Sequence, residues 1–176
     1  MLFSTPSLLT MVHGIALSGG ALLALAASLF AVRAMALPDG VPVMPAQGTS
    51  FARVTLLTAL LLWASVLGGA YLVFPLYRAT PPEGLTMLAA YPRALLVSNP
   101  ETRWLHAFAM EIKEHMPWIA AMLATAAAFI ARRHRATLLA DGALRRVVSA
   151  LLSATFVIVS FVALLGVFVN KVAPLE

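Results

Sequence analysis

A chain of 176 residues that is 61% hydrophobic and 11% charged, with a mean hydropathy of +0.92, is too apolar for a water-soluble domain. It has no cysteine, which excludes disulfides, iron–sulfur clusters and thiolate-held metals. Its net charge of +5 does not mark a nucleic-acid binder, because the basic residues flank apolar stretches and form no basic run.

A bilayer core of about 30 Å needs roughly 20 apolar residues per helix. Four stretches meet that length, about 8–32, 54–76, 112–131 and 147–169, and they predict an all-α, four-helix transmembrane bundle in a single domain spanning 1–176. The first opens with MLFSTPSLLTMVHG, which lacks a positive leader region, so it reads as a retained helix despite the small-residue AMA at 34–36. LPDGVPVMPAQGTS (37–50) reads as an extended loop ending in Ser50 as a helix cap. After the second span, the segment 78–103 is long for a connection and suggests a functional or partner-docking loop. Within it, SNPET offers Ser98 or Asn99 as a cap with Pro100 in the first turn, so helix 3 should begin near residue 100 and run along the interface before entering the bilayer. Pro117 cannot donate to the carbonyl of Lys113, which predicts a kink there. The fourth span, LLSATFVIVSFVALLGVFV, is apolar on every face.

Charge sets the expected orientation. Arg132, Arg133 and Arg135 end helix 3, and Arg145 and Arg146 begin helix 4, so this short loop should be cytoplasmic. Arg33 and Arg53 place the first loop on the same side. Both termini and the 77–105 loop then face outward in a bacterial inner membrane. Seven basic residues lie inside and five outside (Arg78, Arg93, Arg103, Lys113, Lys171).

Counting from these arginines at 1.5 Å per residue gives a depth scale. His13 lies 20 residues before Arg33, His115 lies 17 before Arg132, Tyr71 is 18 past Arg53, and Gly166 is 20 past Arg146. All four fall in one layer near the outer surface. Ionisable residues at membrane depth are costly and read as functional. Two histidines at matched depth suggest a shared haem b, with His13 and His115 as iron ligands and His106 as the substitute for His115. Gly14, Ser18, Gly19, Gly20, Gly68, Gly69 and Gly166 would leave room for the macrocycle, although small residues also serve ordinary helix packing. Glu111, four residues before His115, would orient a ligand or carry a proton, and Tyr71 and Arg78 would contact haem propionates or a quinol. Lys113 and Glu114 read as solvated interfacial charges. The outer methionines and histidines (Met11, His13, His106, Met110, His115, Met116) make copper a weaker alternative, since no tight spacing concentrates them.

The stretch YPRALLVSNPETRWLHAFAMEIKEHMPWIAAMLATAAAFIARRH (91–134), with MVHG in helix 1 and GGAYLVFPLYRA in helix 2, resembles a family of small four-span bacterial membrane proteins with no settled activity. One histidine on each of two helices is more loosely similar to the haem b-bearing membrane subunits of respiratory complexes, such as succinate dehydrogenase anchors. That resemblance implies a membrane subunit of an electron-transfer complex, a b-type cytochrome or a quinone-interacting subunit near the periplasmic face. Its partners would be lipid, other subunits and a periplasmic cytochrome c. The alternative is a cofactor-free subunit that scaffolds a larger respiratory or photosynthetic complex.

Overall fold

The computed structural model describes residues 3–35 and 44–175. Four long helices dominate it: α1 (Thr5–Ala34), α2 (Pro45–Tyr77), α4 (Leu105–Arg133) and α6 (Gly142–Val172). Two short helices, α3 (Pro92–Ser98) and α5 (Arg135–Ala140), sit in the connections. The long helices have 29 to 33 residues each, and all four are apolar and long enough to cross a bilayer. The chain is a multi-pass membrane protein.

Each long helix extends past its apolar stretch because capping groups lie outside it. Ser4 Oγ accepts from the Ser7 N–H at 3.1 Å to start α1. Asp141 Oδ1 accepts from the Ala143 N–H at 2.7 Å to start α6. α2 corrects an expectation: it does not wait for Ser50. Pro45 occupies the first turn and Gln47 Oε1 accepts from the Met44 N–H at 3.2 Å, so Met44 is the cap and the helix starts six residues earlier. The rest of the expected first loop, residues 36–43, lies outside the described residues. The 78–103 segment is also less irregular than a loop. Pro92 opens α3, and Asn99 Oδ1 accepts from the Glu101 N–H at 2.9 Å to begin the turn that leads into α4. α4 then runs through Pro117 in continuous helix to Arg133.

α4 packs against α2 and α6, and α1 packs against the same two helices. The helices thus form a ring in which α1 and α4 stand at opposite corners. The packing surface of α4 is a seam of alanines: Ala120, Ala121, Ala124, Ala127, Ala128 and Ala131 are all buried. The neighbouring helices also bury small residues, including Ala52, Thr55 and Ala59 on α2 and Thr155 on α6. Lipid offers helices no hydrophobic reason to associate, so close backbone approach and interhelical hydrogen bonds must hold them. Ser28 and Thr58 hydroxyls pair at 3.3 Å between α1 and α2, and Trp63 Nε1 donates to Thr125 Oγ1 at 2.9 Å between α2 and α4. A second apolar cluster, of Tyr77, Leu96, Leu105, Met110, Leu165 and Val169, ties α3 to the other end of the bundle. α6 has a defined inner face despite its uniform composition, with Val148, Leu152, Thr155 and Val159 buried at three- and four-residue spacing.

Ala124→Leu should overpack this seam and cost about 1–3 kcal/mol. Unfolding of the detergent-solubilised protein by SDS should show it, while Met122→Leu, on the exposed face of the same helix, leaves the midpoint unchanged.

Candidate functional site

At the end opposite the alanine seam the helices separate around a cavity of about 760 Å³. All four long helices line it: His13, Gly14 and Ser18 from α1; Ser65, Gly69 and Tyr77 from α2; Met110, Lys113, Glu114, Pro117 and Trp118 from α4; Gly166 and Asn170 from α6. The walls are mostly apolar, with polar groups at a few points, which is the character of small-molecule sites.

The backbone widens here. Residues Val12–Gly19 of α1, Gly69–Val73 of α2 and Leu105–Met110 of α4 adopt π-helical turns. Such turns are rare, and they occur disproportionately at functional sites because each inserts a residue and redirects the side chains after it. Three of them at one end of a four-helix ring bear on its cavity. The first is supported by Ser18, whose hydroxyl donates to the His13 carbonyl at 2.9 Å, five residues back, and pairs with Ser65 Oγ at 2.8 Å.

His13 lies within the first π turn, and the Cε1 corner of its imidazole abuts Gly69 of α2. A Cβ on Gly69 would sit 2.7 Å from His13 Cε1, so only glycine admits the ring in this position. His13 Nδ1 is buried and has no hydrogen-bond partner among the described residues. A buried polar atom left unpaired costs about 1–3 kcal/mol, and this one belongs to a side chain that lines the cavity. Across the ring, Lys113 from α4 makes the matching contact. Its Nζ would be 2.8 Å from a Cβ on Gly166 of α6. Two nitrogen groups, on opposite corners of the bundle, each enter the cavity by way of a glycine notch.

Of the other expected residues, Gly14, Ser18, Gly69 and Gly166 line this cavity, whereas His106, Glu111, His115, Tyr71 and Arg78 do not. His115 is exposed, and its Nδ1 lies 2.8 Å from the carbonyl of Glu111, itself exposed. His106 is held by Tyr77, whose hydroxyl lies 2.8 Å from its Nδ1. Tyr71 is 70% exposed, and Arg78 stacks over the Phe74 ring at 5.5 Å. The physical reason is azimuth. His115 precedes Ala124 by nine residues, two and a half turns, which puts it on the face opposite the alanine seam. Lys113 precedes Ala124 by eleven residues, close to three turns, so it shares the inner face. Extending the alanine stripe back through Pro117 to Lys113 and Met110 is the signal that would have found this lysine.

A bis-histidine haem needs two imidazoles across one space. His13 faces the cavity while His115 faces away and His106 is engaged by Tyr77, so these residues do not fit that arrangement. Among the described residues, no group of three or more histidine or acidic side chains is placed to hold a metal ion.

Gly69→Ala should push the imidazole out of its notch and destabilise the protein by about 1–3 kcal/mol in SDS unfolding. In a His13→Ala background the same substitution should cost under about 0.5 kcal/mol, since the clash is with the ring. An equal cost in both backgrounds would show that Gly69 answers to something other than His13.

Neither protein-family models, curated proteins nor solved structures contain a match to this chain. What the likeness to small four-span membrane proteins retains is the four long apolar helices, without a family assignment.

Proposed function

We propose that this protein is a membrane subunit of an electron-transfer complex, and that the cavity between its four helices seats the ring of a lipid-soluble quinone. The observation that carries the reading is that His13 and Lys113 both line one mostly apolar cavity at the end of the bundle away from the arginines. A quinone presents two carbonyl oxygens on opposite edges of a flat ring, with an apolar tail. An imidazole on α1 and a lysine side chain on α4, both lining the cavity, are donors suited to those two oxygens. Apolar lining from Val66, Val159 and Val162 suits the ring and the start of the tail, and Trp118 supplies an aromatic wall.

In this reading the chain binds and orients the carrier, and redox centres of partner subunits exchange electrons with it. Oxidation of the quinol releases two electrons to such a centre and two protons to the water side. Glu114, which lines the cavity beside Lys113, is placed to receive one of these protons. The arginine-rich end faces the cytoplasm, as the density of Arg132, Arg133, Arg135, Arg145 and Arg146 in one short connection argues. Both termini, a bend of α4 at Pro117 and the quinone cavity then belong to the periplasmic side of a bacterial inner membrane, where a soluble cytochrome c would be the partner. The scaffold alternative has no observation of its own to favour it, because exposed apolar helix faces suit lipid and protein equally.

Titration of the detergent-purified chain with decylubiquinone, followed by tryptophan fluorescence, tests the reading. Saturable quenching is expected, weakened about tenfold in His13→Ala and in Lys113→Met and unaltered in His115→Ala. Quenching that never saturates, or that is indifferent to His13 and Lys113, would refute it. A dithionite-reduced minus oxidised spectrum of the same preparation separates the cofactors. A b-type α-band lost in His13→Ala would give the cavity to haem in place of quinone.

A further inference from the structure

A second site lies at the other end of the bundle, in the crevice between the start of α2 and the junction of α4 with α5. The crevice has a volume of about 240 Å³ and is lined by Thr49, Ala52, Arg53, Leu56, Arg132 and Arg135. Three of these six residues are arginines, they come from three helices, and no carboxylate is among the six. Asp141, the acidic residue of this end among the described residues, is occupied in capping α6.

A general excess of positive charge on one side of the membrane explains how many arginines are here, but not how they are placed. Arg145, two turns away in the same connection, is spent on the fold: its Nη1 donates to the Leu138 and Leu139 carbonyls at 3.1 and 2.8 Å. Arg135 is held quite differently. Its stem crosses α2 at Gly48, where a Cβ would lie 3.0 Å from its Cγ and 3.2 Å from its Cδ. Its Nη1 donates to Thr49 Oγ1 at 2.9 Å, which fixes the guanidinium at the crevice. A larger residue at 48 would lift this arginine away. Arg53 and Arg132 line the same space, and with no carboxylate among the described residues that line it, an anion there would relieve the repulsion of three like charges.

We propose that this crevice binds a phosphate group. The guanidinium fork matches phosphate oxygens two at a time, and the position at the helix ends puts the site at the level of lipid headgroups. Leu56 and Ala52 give the crevice an apolar wall on its membrane side. Two sources share this chemistry: the headgroup of an anionic phospholipid and free phosphate from the aqueous side.

The test uses the full chain in dodecyl maltoside, titrated separately with phosphatidylglycerol, phosphatidylcholine and inorganic phosphate, with binding read from the shift in thermal unfolding midpoint. Stabilisation by phosphatidylglycerol that inorganic phosphate fails to reproduce identifies the lipid. Stabilisation by inorganic phosphate, competing with the lipid, identifies the free anion. In either case Arg53→Gln and Arg132→Gln should each weaken binding about tenfold, while Arg146→Gln, which removes the same charge outside the crevice, should not. Gly48→Leu should weaken it as well, by displacing Arg135 with its charge intact. No stabilisation by either phosphate probe overturns the proposal. So does an equal loss in Arg146→Gln, since that outcome means a diffuse charge effect and no site.

Discussion

Helices in a bilayer gain nothing by hiding apolar surface from one another, because lipid receives that surface as readily. What decides the architecture is how near their backbones can come. In this protein the limit is set by the alanine seam of α4, from Ala120 to Ala131, against which α2 and α6 both pack. With alanine methyls along the packed face of α4, the helices approach closely in the half of the bundle toward the arginines, and Leu25, Phe51, Leu138, Val148 and Leu152 fill its core. Ser28, Thr58, Trp63 and Thr125 add hydrogen bonds between helices without leaving polar atoms facing lipid.

The same constraint explains why the cavity lies where it does. The seam stops at Ala120, and the residues that continue its stripe toward the other end, Trp118, Pro117, Lys113 and Met110, are larger. They cannot be accommodated at the same spacing, and the helices diverge around them. Pro117 removes one rung of the α4 hydrogen-bond ladder, since it has no N–H to offer the Lys113 carbonyl. The π turns of α1, α2 and α4 fall in this divergent half. One end of the bundle is closely packed, and the other is a space whose walls carry His13 and Lys113.

Much of this was legible in the sequence, and the part that was not has a specific cause. Span number and order follow from hydropathy, which is a property of segments and survives any packing. Helix ends were misjudged where a cap lies beyond the apolar stretch, as with Pro45 and Gln47, or where a short helix such as α3 hides in a connection. The height of His13, in the half of the bundle where the helices diverge, was readable from depth alone. Choosing His115 as its counterpart was not sound, because residues counted along a helix give height and say nothing of direction. Lys113 and His115 differ by half a turn, and only the alanine periodicity tells which faces inward. The π turns leave no mark in composition, so the final orientation of His13 toward Gly69 and of His106 toward Tyr77 emerges only from the folded backbone.

The central claim is that His13 alone among the four histidines addresses a ligand space. The most direct measurement is nitrogen NMR of protein labelled with ¹⁵N-histidine, with the signals assigned by single substitutions and decylubiquinone added in steps. The account predicts that the His13 ring resonances move as the carrier binds, while those of His106, His115 and His134 stay in place. Movement of His115 with His13 held still would contradict it, as would four unmoved histidines at saturating quinone.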